Sequence, residues 1–403
     1  MTSIKHSLKS KHSPIVWSLG TCLALLAETP VAHAQVNQSD TVFGLAATGF
    51  GPQIFGVAAQ RSMLQIYGTV DLGMNYTNAG GRSITRVQSG NAWTSKFGIY
   101  GQEYLGDDWT AFFRLESGFT ANNGSLQDST TLFNRASFVG IDNPSYGKLI
   151  FGRTYSTTGT ASLAVDPFFA NAHESIYTYL ASVSDLGYGA NADGLNRVNN
   201  LITYASPRFA GFFRAGLSYA FKSDQTVGPA AHTRGASLVY SDRQTTIGLS
   251  YGQSWCDPGV AGSCTADTTT QPSVRTDVFI ANVQHDFGPF LGSAAFVQQV
   301  PRYAGDGIAK LYTTSLQRYA GRTLYRLSLA YRDTTVRQDY AYGATLGSDY
   351  FLSKRTALYT RLGVIRNGPQ SAITYNYDST AGGALIGKGH GVVSATLGMY
   401  HNF

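Results

Sequence analysis

From Leu64 the chain alternates apolar and polar residues over twelve positions. Leu64, Ile66, Val70, Leu72 and Met74 fall on one face; Gln65, Tyr67, Thr69, Asp71 and Asn75 fall on the other. Side chains that change face at every residue belong to a β-strand, and a tilted strand of about 9–11 residues crosses a bilayer. The same period predicts further strands near 91–104, 108–120, 133–141, 147–155, 198–206, 210–221, 232–241, 244–254, 276–286, 289–299, 310–320, 323–333, 339–349, 354–366 and 391–403. With the first, that makes sixteen.

Short and long connections take turns between these strands. Leu105-Gly106-Asp107, Asn143-Pro144-Ser145, Ser206-Pro207-Arg208, Asp242-Arg243, Phe287-Gly288-Pro289 and Gly321-Arg322 are tight and built from turn formers. Segments 77–90, 121–132, 222–231, 255–275 and 367–390 are longer and rich in Gly, Asn, Asp, Ser and Thr. Short turns at one end and long loops at the other is the arrangement of outer-membrane barrels. An open edge does not persist in lipid, so the strand ending at Phe403 must close on the strand that begins at Leu64. The expected fold is all-β, a 16-stranded antiparallel transmembrane β-barrel.

One connection breaks the pattern. Residues 156–196, between Arg153 and Arg197, hold no lysine or arginine but carry Asp166, Glu174, Asp185 and Asp193 beside Pro167, Phe168, Phe169, Tyr177 and Tyr179. A structureless loop of this length in a compact array is uncommon and usually functional. We expect it, as the long third external loop, to fold into the lumen and constrict it, with those four carboxylates as candidate pore residues.

The N-terminus explains how such a chain reaches a membrane. Lys5, Lys9 and Lys11 precede an apolar run from Pro14 to Ala27, which ends on Ala32-His33-Ala34. This is a secretory signal over residues 1–34; a second cleavage position follows Ala59. Residues 35–62 form a Gly- and Phe-rich N-terminal extension, expected to be a disordered periplasmic tail, and residues 63–403 form the barrel. Only 13% of residues are charged, against about 25% in soluble domains. Few charges, with 45 glycines, 25 tyrosines and 22 phenylalanines, suit a barrel that turns half its side chains to lipid. Without Lys5, Lys9, Lys11 and Glu28, the 30 basic and 24 acidic residues become 27 and 23, a net +4.

Cys22 leaves with the signal. Cys256 and Cys264 flank Asp257-Pro258-Gly259-Val260-Ala261-Gly262-Ser263, a stretch that can double back, and an exported chain meets oxidising conditions. We expect a disulfide there, with two free thiols as the alternative and no metal site. Gly248-Leu249-Ser250-Tyr251-Gly252 matches the hydrolase elbow G-x-S-x-G. It falls mid-strand, with no helix after it, and reads as chance. No nucleophile–base set is present, so we expect neither an enzyme nor a cofactor.

The chain resembles the general diffusion porins of Gram-negative bacteria, in the β-proteobacterial branch. The resemblance rests on Ile66-Tyr67-Gly68-Thr69-Val70-Asp71, Ser95-Lys96-Phe97-Gly98-Ile99-Tyr100-Gly101, Phe113-Arg114-Leu115-Glu116-Ser117-Gly118-Phe119, Asn134-Arg135-Ala136-Ser137-Phe138-Val139-Gly140, Phe151-Gly152-Arg153, Arg197-Val198-Asn199-Asn200 and the terminal Gly398-Met399-Tyr400-His401-Asn402-Phe403. It implies a homotrimer in the outer membrane, with basic wall residues facing acidic loop residues across the constriction. The wall positions that match are Lys96, Arg135 and Arg197; on the loop, Asp166 matches best. The glycine pair that often follows that motif is replaced by Phe169-Ala170.

Alternation supports the wall assignment. Lys96 lies opposite Phe97 and Ile99, Arg114 and Glu116 opposite Phe113 and Leu115, Arg135 and Ser137 opposite Ala136 and Phe138, and Arg197 and Thr203 opposite Val198 and Ile202. A charge at the bilayer midplane costs about 2–4 kcal/mol, so these side chains are expected inside. Arg153 shares parity with Leu149 and Phe151 and is expected to anchor the root of the long loop instead. The function expected is passive diffusion of small hydrophilic solutes and ions, with a mild preference for anions. Outer-membrane lipid and lipopolysaccharide are the expected surroundings, and nucleic acid is not a partner. The alternatives are a substrate-specific channel, with Phe168, Phe169, Tyr177 and Tyr179 as a binding slide, and a surface adhesin or receptor.

Overall fold

The computed structural model describes residues 62–164, 166–168, 173–175, 177–183, 185–187, 189–222, 231–255, 275–375 and 386–403. The expected signal, the extension up to residue 61 and the Cys256–Cys264 pair lie outside them. Strand β1 (Met63–Ala79) runs four residues past the alternation read from the sequence, and a hairpin returns the chain as β2 (Arg82–Ser89). Gly80 and Gly81 make the two-residue turn at φ of 61° and 83°, the left-handed values that glycine adopts without strain. Segment 77–90, expected as a long connection, is thus mostly strand. Its outer half is exposed on both faces, so no apolar side marks it.

After β2 the chain leaves the ladder at Gly90–Ser95 and rejoins it as β3 (Lys96–Gly106). Residues 72–79 of β1 pair with β2, and residues 63–69 pair with β3. Together β2 and β3 occupy one position in the wall. Then come β4 (Trp109–Thr120), a two-residue β5 (Ser125–Leu126) inside a loop, β6 (Ala136–Asn143), β7 (Gly147–Tyr155), β8 (Arg197–Ala205), β9 (Phe213–Phe221), β10 (Ala231–Ser241) and β11 (Thr245–Trp255). They are followed by β12 (Arg275–Asp286), β13 (Leu291–Pro301), β14 (Ala309–Ala320), β15 (Thr323–Thr334), β16 (Tyr340–Phe351), β17 (Thr356–Asn367) and β18 (Val392–Asn402).

From β3 on, each wall strand pairs antiparallel with the next, β4 pairing with β6 past the loop strand β5, and β18 pairs with β1 from Thr69↔Asn402 to Ala79↔Val392. The terminal residue joins the seam: Gly68 N donates to Phe403 O at 3.2 Å, and Phe403 N donates to Gly68 O at 3.0 Å. With β2/β3 counted once and β5 left to its loop, the eighteen described strands make a closed barrel of sixteen. The exposed face is apolar: Leu64, Ile66 and Met74 on β1, Leu397 and Met399 on β18. Thr69, Asp71 and Asn75 are fully buried on the other face of β1.

The third connection on the long-loop side enters the barrel. It holds helix α1 (Thr157–Ala164), a short helix α2 (Tyr177–Ala181) and a 3₁₀ turn at Asp193–Leu195. Helix α1 lies against β9–β12 at positions without bulk. A Cβ added at Gly235 would stand 2.7 Å from Thr157 Oγ1, and one at Gly252 would stand 2.1 Å from Thr158 Oγ1. Farther along, Tyr179, Leu180 and Leu195 join an apolar cluster with Val278, Ile280, Val297, Leu311, Ala330, Ala341 and Ile365. These wall residues would otherwise face water. Burying a large apolar side chain stabilises by about 1.5–3 kcal/mol, so the inner wall itself draws the loop in.

Candidate functional site in the lumen

On the wall formed by β3, β4, β6 and β8, four basic residues converge on one carboxylate. Glu116 Oε1 takes the Arg135 Nε–H at 2.8 Å, and its Oε2 takes the Tyr67 hydroxyl at 2.7 Å. Lys96, Arg114 and Arg197 also lie close enough to act on this carboxylate. The Arg114 guanidinium sits over the rings of Tyr67 (5.4 Å) and Tyr100 (5.9 Å), and that of Arg197 over Tyr155 (4.3 Å). Lys96, Arg114, Glu116 and Arg135 are buried within this cluster, and Arg197 is half-buried at its edge. Four cations against one carboxylate leave the wall with a local charge of about +3.

The four basic residues expected inside are therefore together, though not all by the route that alternation suggested. Lys96 and Arg114 follow their strands, with Phe97 and Phe113 exposed opposite. On β6 the faces are reversed: Ala136 and Phe138 are buried and Val139 is exposed. Arg135 stands just before the strand begins, and its N–H donates to Glu116 O at 3.1 Å; it enters from the strand's end and not by parity. On β8, Asn200 at φ 53° forms a bulge opposite Arg153, so Val198 and Leu201 are both buried, with Ala220. Arg153 bridges neighbours at the root of the loop, donating from Nε to Asn134 O (2.8 Å) and from Nη1 to Asn199 Oδ1 (2.7 Å).

The loop carboxylates are held elsewhere. Asp166 accepts from Phe168 N at 2.9 Å and from the Ser175 hydroxyl, both within the loop. Glu174 Oε1 accepts from Ser394 (2.8 Å) and Thr396 (2.5 Å) on β18. Asp185 takes both Nη groups of Arg332 on β15, at 2.8 and 2.9 Å. Asp193 begins the 3₁₀ turn, its N–H donating to Asn191 Oδ1 at 3.3 Å. The aromatic slide is likewise turned to the wall. Phe168 lies over Arg361 (5.2 Å) and Arg326 (5.9 Å), and Tyr179 belongs to the apolar cluster. Phe169 and the Tyr177 side chain lie outside the described residues.

Behind His173 runs a chain of hydrogen bonds with a defined direction. Arg86 Nε holds Gln88 Oε1 at 2.6 Å, which turns Gln88 Nε2 toward His173 Nδ1 at 3.3 Å. The Thr77 hydroxyl donates to Asn75 Oδ1 (3.0 Å) and so receives His173 Nε2–H at 3.5 Å. Asn75 Nδ2 donates on to Ser394 and Thr396, the two hydroxyls that reach Glu174. The loop tip is thereby tied to β1, β2 and β18.

These features have known counterparts. The family model for Gram-negative porins matches residues 21–370. This chain belongs to that family. Among curated relatives, outer membrane porin protein 32 of Delftia acidovorans is 27% identical over 86% of the porin and 96% of that protein. An outer membrane porin of Bordetella pertussis is 30% identical over 54% of this chain, and the alignment spans about half, 52%, of that relative. Among solved structures, one described as an anion-selective porin from Comamonas acidovorans superposes with a TM-score of 0.72 at 26% identity, covering 85% of this chain and all of that one. OmpT of Vibrio cholerae shares the fold, with a TM-score of 0.57 at 14% identity over 87% of this chain and 100% of that one. The porin is thus an outer-membrane channel.

Sequence reasoning passed over a second set of lumen residues. Arg326 and Arg361 share the Asp349 carboxylate, Arg361 Nη2 lying 2.6 Å from Oδ1. Asp71 accepts from Ala92 N (2.7 Å), Trp93 N (2.6 Å) and the Tyr359 hydroxyl (2.5 Å), and so holds Gly90–Ser95 inside the barrel. Alternation alone would have found the arginines, since Arg326 and Arg332 are flanked by the exposed Tyr325 and Tyr331. In the porin, Gly248–Gly252 lies inside β11, where Ser250 Oγ donates to Ala236 O at 3.2 Å.

Proposed function

We propose that the porin is a general diffusion channel for small hydrophilic solutes and ions, with a mild preference for anions. The supporting observation is the wall cluster of Lys96, Arg114, Arg135 and Arg197 around the single carboxylate of Glu116. Rings of like charge lining a pore select counter-ions by electrostatics and size. The related Comamonas acidovorans porin, described as anion-selective, supports the same sign. Phe168 packs against Arg326 and Arg361, and Tyr179 joins the apolar cluster of the inner wall; the two do not form a row along the lumen, which favours general diffusion over a substrate-specific channel. Homotrimers surrounded by lipid and lipopolysaccharide are the working assembly in this reading.

Reversal potentials across a KCl gradient test it. The wild-type channel is expected to favour chloride, and Arg135→Ala to shift the potential toward potassium. A cation-selective wild type would refute the preference. Ion current saturably blocked by one solute would refute general diffusion.

A further inference from the structure

The outward face of β8–β11 carries an open groove of about 350 Å³. Strand register arranges its lining in two rows. Ile202, Tyr219, Arg234 and Gln253 stand side by side nearer the long-loop end, and Tyr204, Leu217, Ala236 and Tyr251 stand side by side below them. Ala236 is the small member of its row, between the bulky Leu217 and Tyr251, and its missing volume makes the trough. Below, the rings of Phe209, Phe212, Phe213 and Tyr240 contact one another, two pairs stacked and one edge-on, with centroids 5.5–5.9 Å apart. Above, Tyr219 meets Phe221 at 5.0 Å, and Trp255 ends β11. Aromatic girdles of this kind mark the two edges of the apolar band, so the groove lies in its outer half.

Arg234 is the anomaly in this band. It is exposed on the outward face, its Nε donates to Gln253 Oε1 at 2.6 Å, and its guanidinium lies 5.4 Å from the Trp255 ring. Arg275, 6.0 Å from the same ring, is paired with Asp277 at 3.0 Å. Among the described residues, no carboxylate pairs with Arg234. An arginine facing lipid costs up to about 2–4 kcal/mol at midplane and little near the interface, and a phosphate offers it two parallel hydrogen bonds.

We propose that this groove binds a phosphorylated lipid of the outer leaflet, the lipid anchor of lipopolysaccharide, with one acyl chain over Ala236 and a phosphate on Arg234. Charge and apolarity are split along the groove as they are along such a lipid. The proposal rests on the outward orientation of the long loops but not on ion selectivity.

Native mass spectrometry of purified porin, exchanged separately with bisphosphorylated lipid A, dephosphorylated lipid A and phosphatidylethanolamine, tests it. The wild type is expected to retain bisphosphorylated lipid A at least fivefold better than either other lipid. Arg234→Leu should erase that preference, and Ala236→Phe should lower retention of both lipid A forms. Equal retention of all three lipids by the wild type, or an unchanged preference in Arg234→Leu, would overturn the proposal. Displacement of bound lipid A by millimolar inorganic phosphate would also overturn it, since the site would then be a phosphate site without a lipid requirement. Single-channel conductance of each variant checks that the barrel has formed; if Ala236→Phe does not form channels, the Arg234→Leu comparison decides alone. Lost ion selectivity with lipid preference intact would count against the channel reading only.

Discussion

Arg332→Met is expected to loosen the constriction loop without opening the barrel. The wild-type guanidinium makes two bonds to Asp185 and one to Ser182 O at 2.9 Å, and stands 3.7 Å from Asp339. Arg332 is fully buried, whereas the Asp185 side chain keeps 16% exposure. Breaking a buried pair costs about 3–5 kcal/mol; with Asp185 in reach of solvent the lower end applies. About 3 kcal/mol is roughly a hundredfold in the ratio of displaced to seated loop. Other ties remain, among them Gln299 Nε2 to Leu180 O (3.1 Å) and Gly189 N to Asp306 (2.7 Å), so the loop should flicker and not leave. Single-channel recordings should show rapid current noise in the variant and quiet openings in the wild type.

The noise should depend on pH, with a sign fixed by Asp339. Burial, and after it the charge of Asp185, push the Asp339 carboxyl above the ordinary carboxylate range. A carboxyl raised in the seated state favours that state when protonated, so seating weakens as pH rises through the raised value. Removing Arg332 takes away a cation that opposes this rise. Noise in Arg332→Met should therefore fall on acidification, and Asp185→Asn with Asp339→Asn should quiet it at neutral pH. A variant as quiet as wild type at neutral pH would show that Arg332 does not seat the loop.

Gly252→Ala places a methyl 2.1 Å from Thr158 Oγ1, so α1 must move off the wall and conductance should drop; Thr158→Ala in the same chain should restore part of it, and full wild-type conductance in the single variant would count against this packing. Glu116→Gln raises the local charge from about +3 to +4. At about 7 Å in water a unit charge acts with about 0.6 kcal/mol, roughly halved by 0.1 M salt, so the chloride-to-potassium ratio should rise about threefold by reversal potential. A fall in that ratio would refute the sign. Asp71→Asn has one carbonyl oxygen to meet two backbone donors and the Tyr359 hydroxyl. At about 1.5–3 kcal/mol for each bond to a charged group, its barrel should lose its folded gel mobility at a lower temperature, and an unchanged transition would refute the role given to Asp71.

Strand count, strand order and the inward loop were legible because each rests on something the sequence displays: period two, turn formers, and a length no hairpin needs. Reading failed where the backbone departs from its ladder. The bulge at Asn200 and the entry of Arg135 ahead of β6 change faces without changing the alternation around them. The upper half of β2 is exposed on both sides, so it carries no apolar face. The loop's partners were legible in principle. Strand β12 reads Val278-Phe279-Ile280, apolar on both faces, and an apolar face turned inward in a polar lumen announces that something must cover it.

What the loop covers also decides where solute passes. The ties described above run from α1 to β9–β12, from α2 and Asp185 to β13 and β15, and from His173 and Glu174 to β1, β2 and β18. In the proposed reading, solute passes on the remaining side, along β3, β4, β6 and β8, where the buried basic cluster stands. Hydrogen bonds do not cancel a charge, so Asp166, held within the loop, and Glu174, held against β18, still act on a passing ion. Coulomb energy falls with distance and with intervening salt. In the proposed reading the basic groups act from the near side, and the proposed anion preference would rest on that difference in range even though acids and bases both surround the pore. Substitutions that unseat the loop should alter selectivity by moving the path, and substitutions at Glu116 or Arg135 by changing the charge along it.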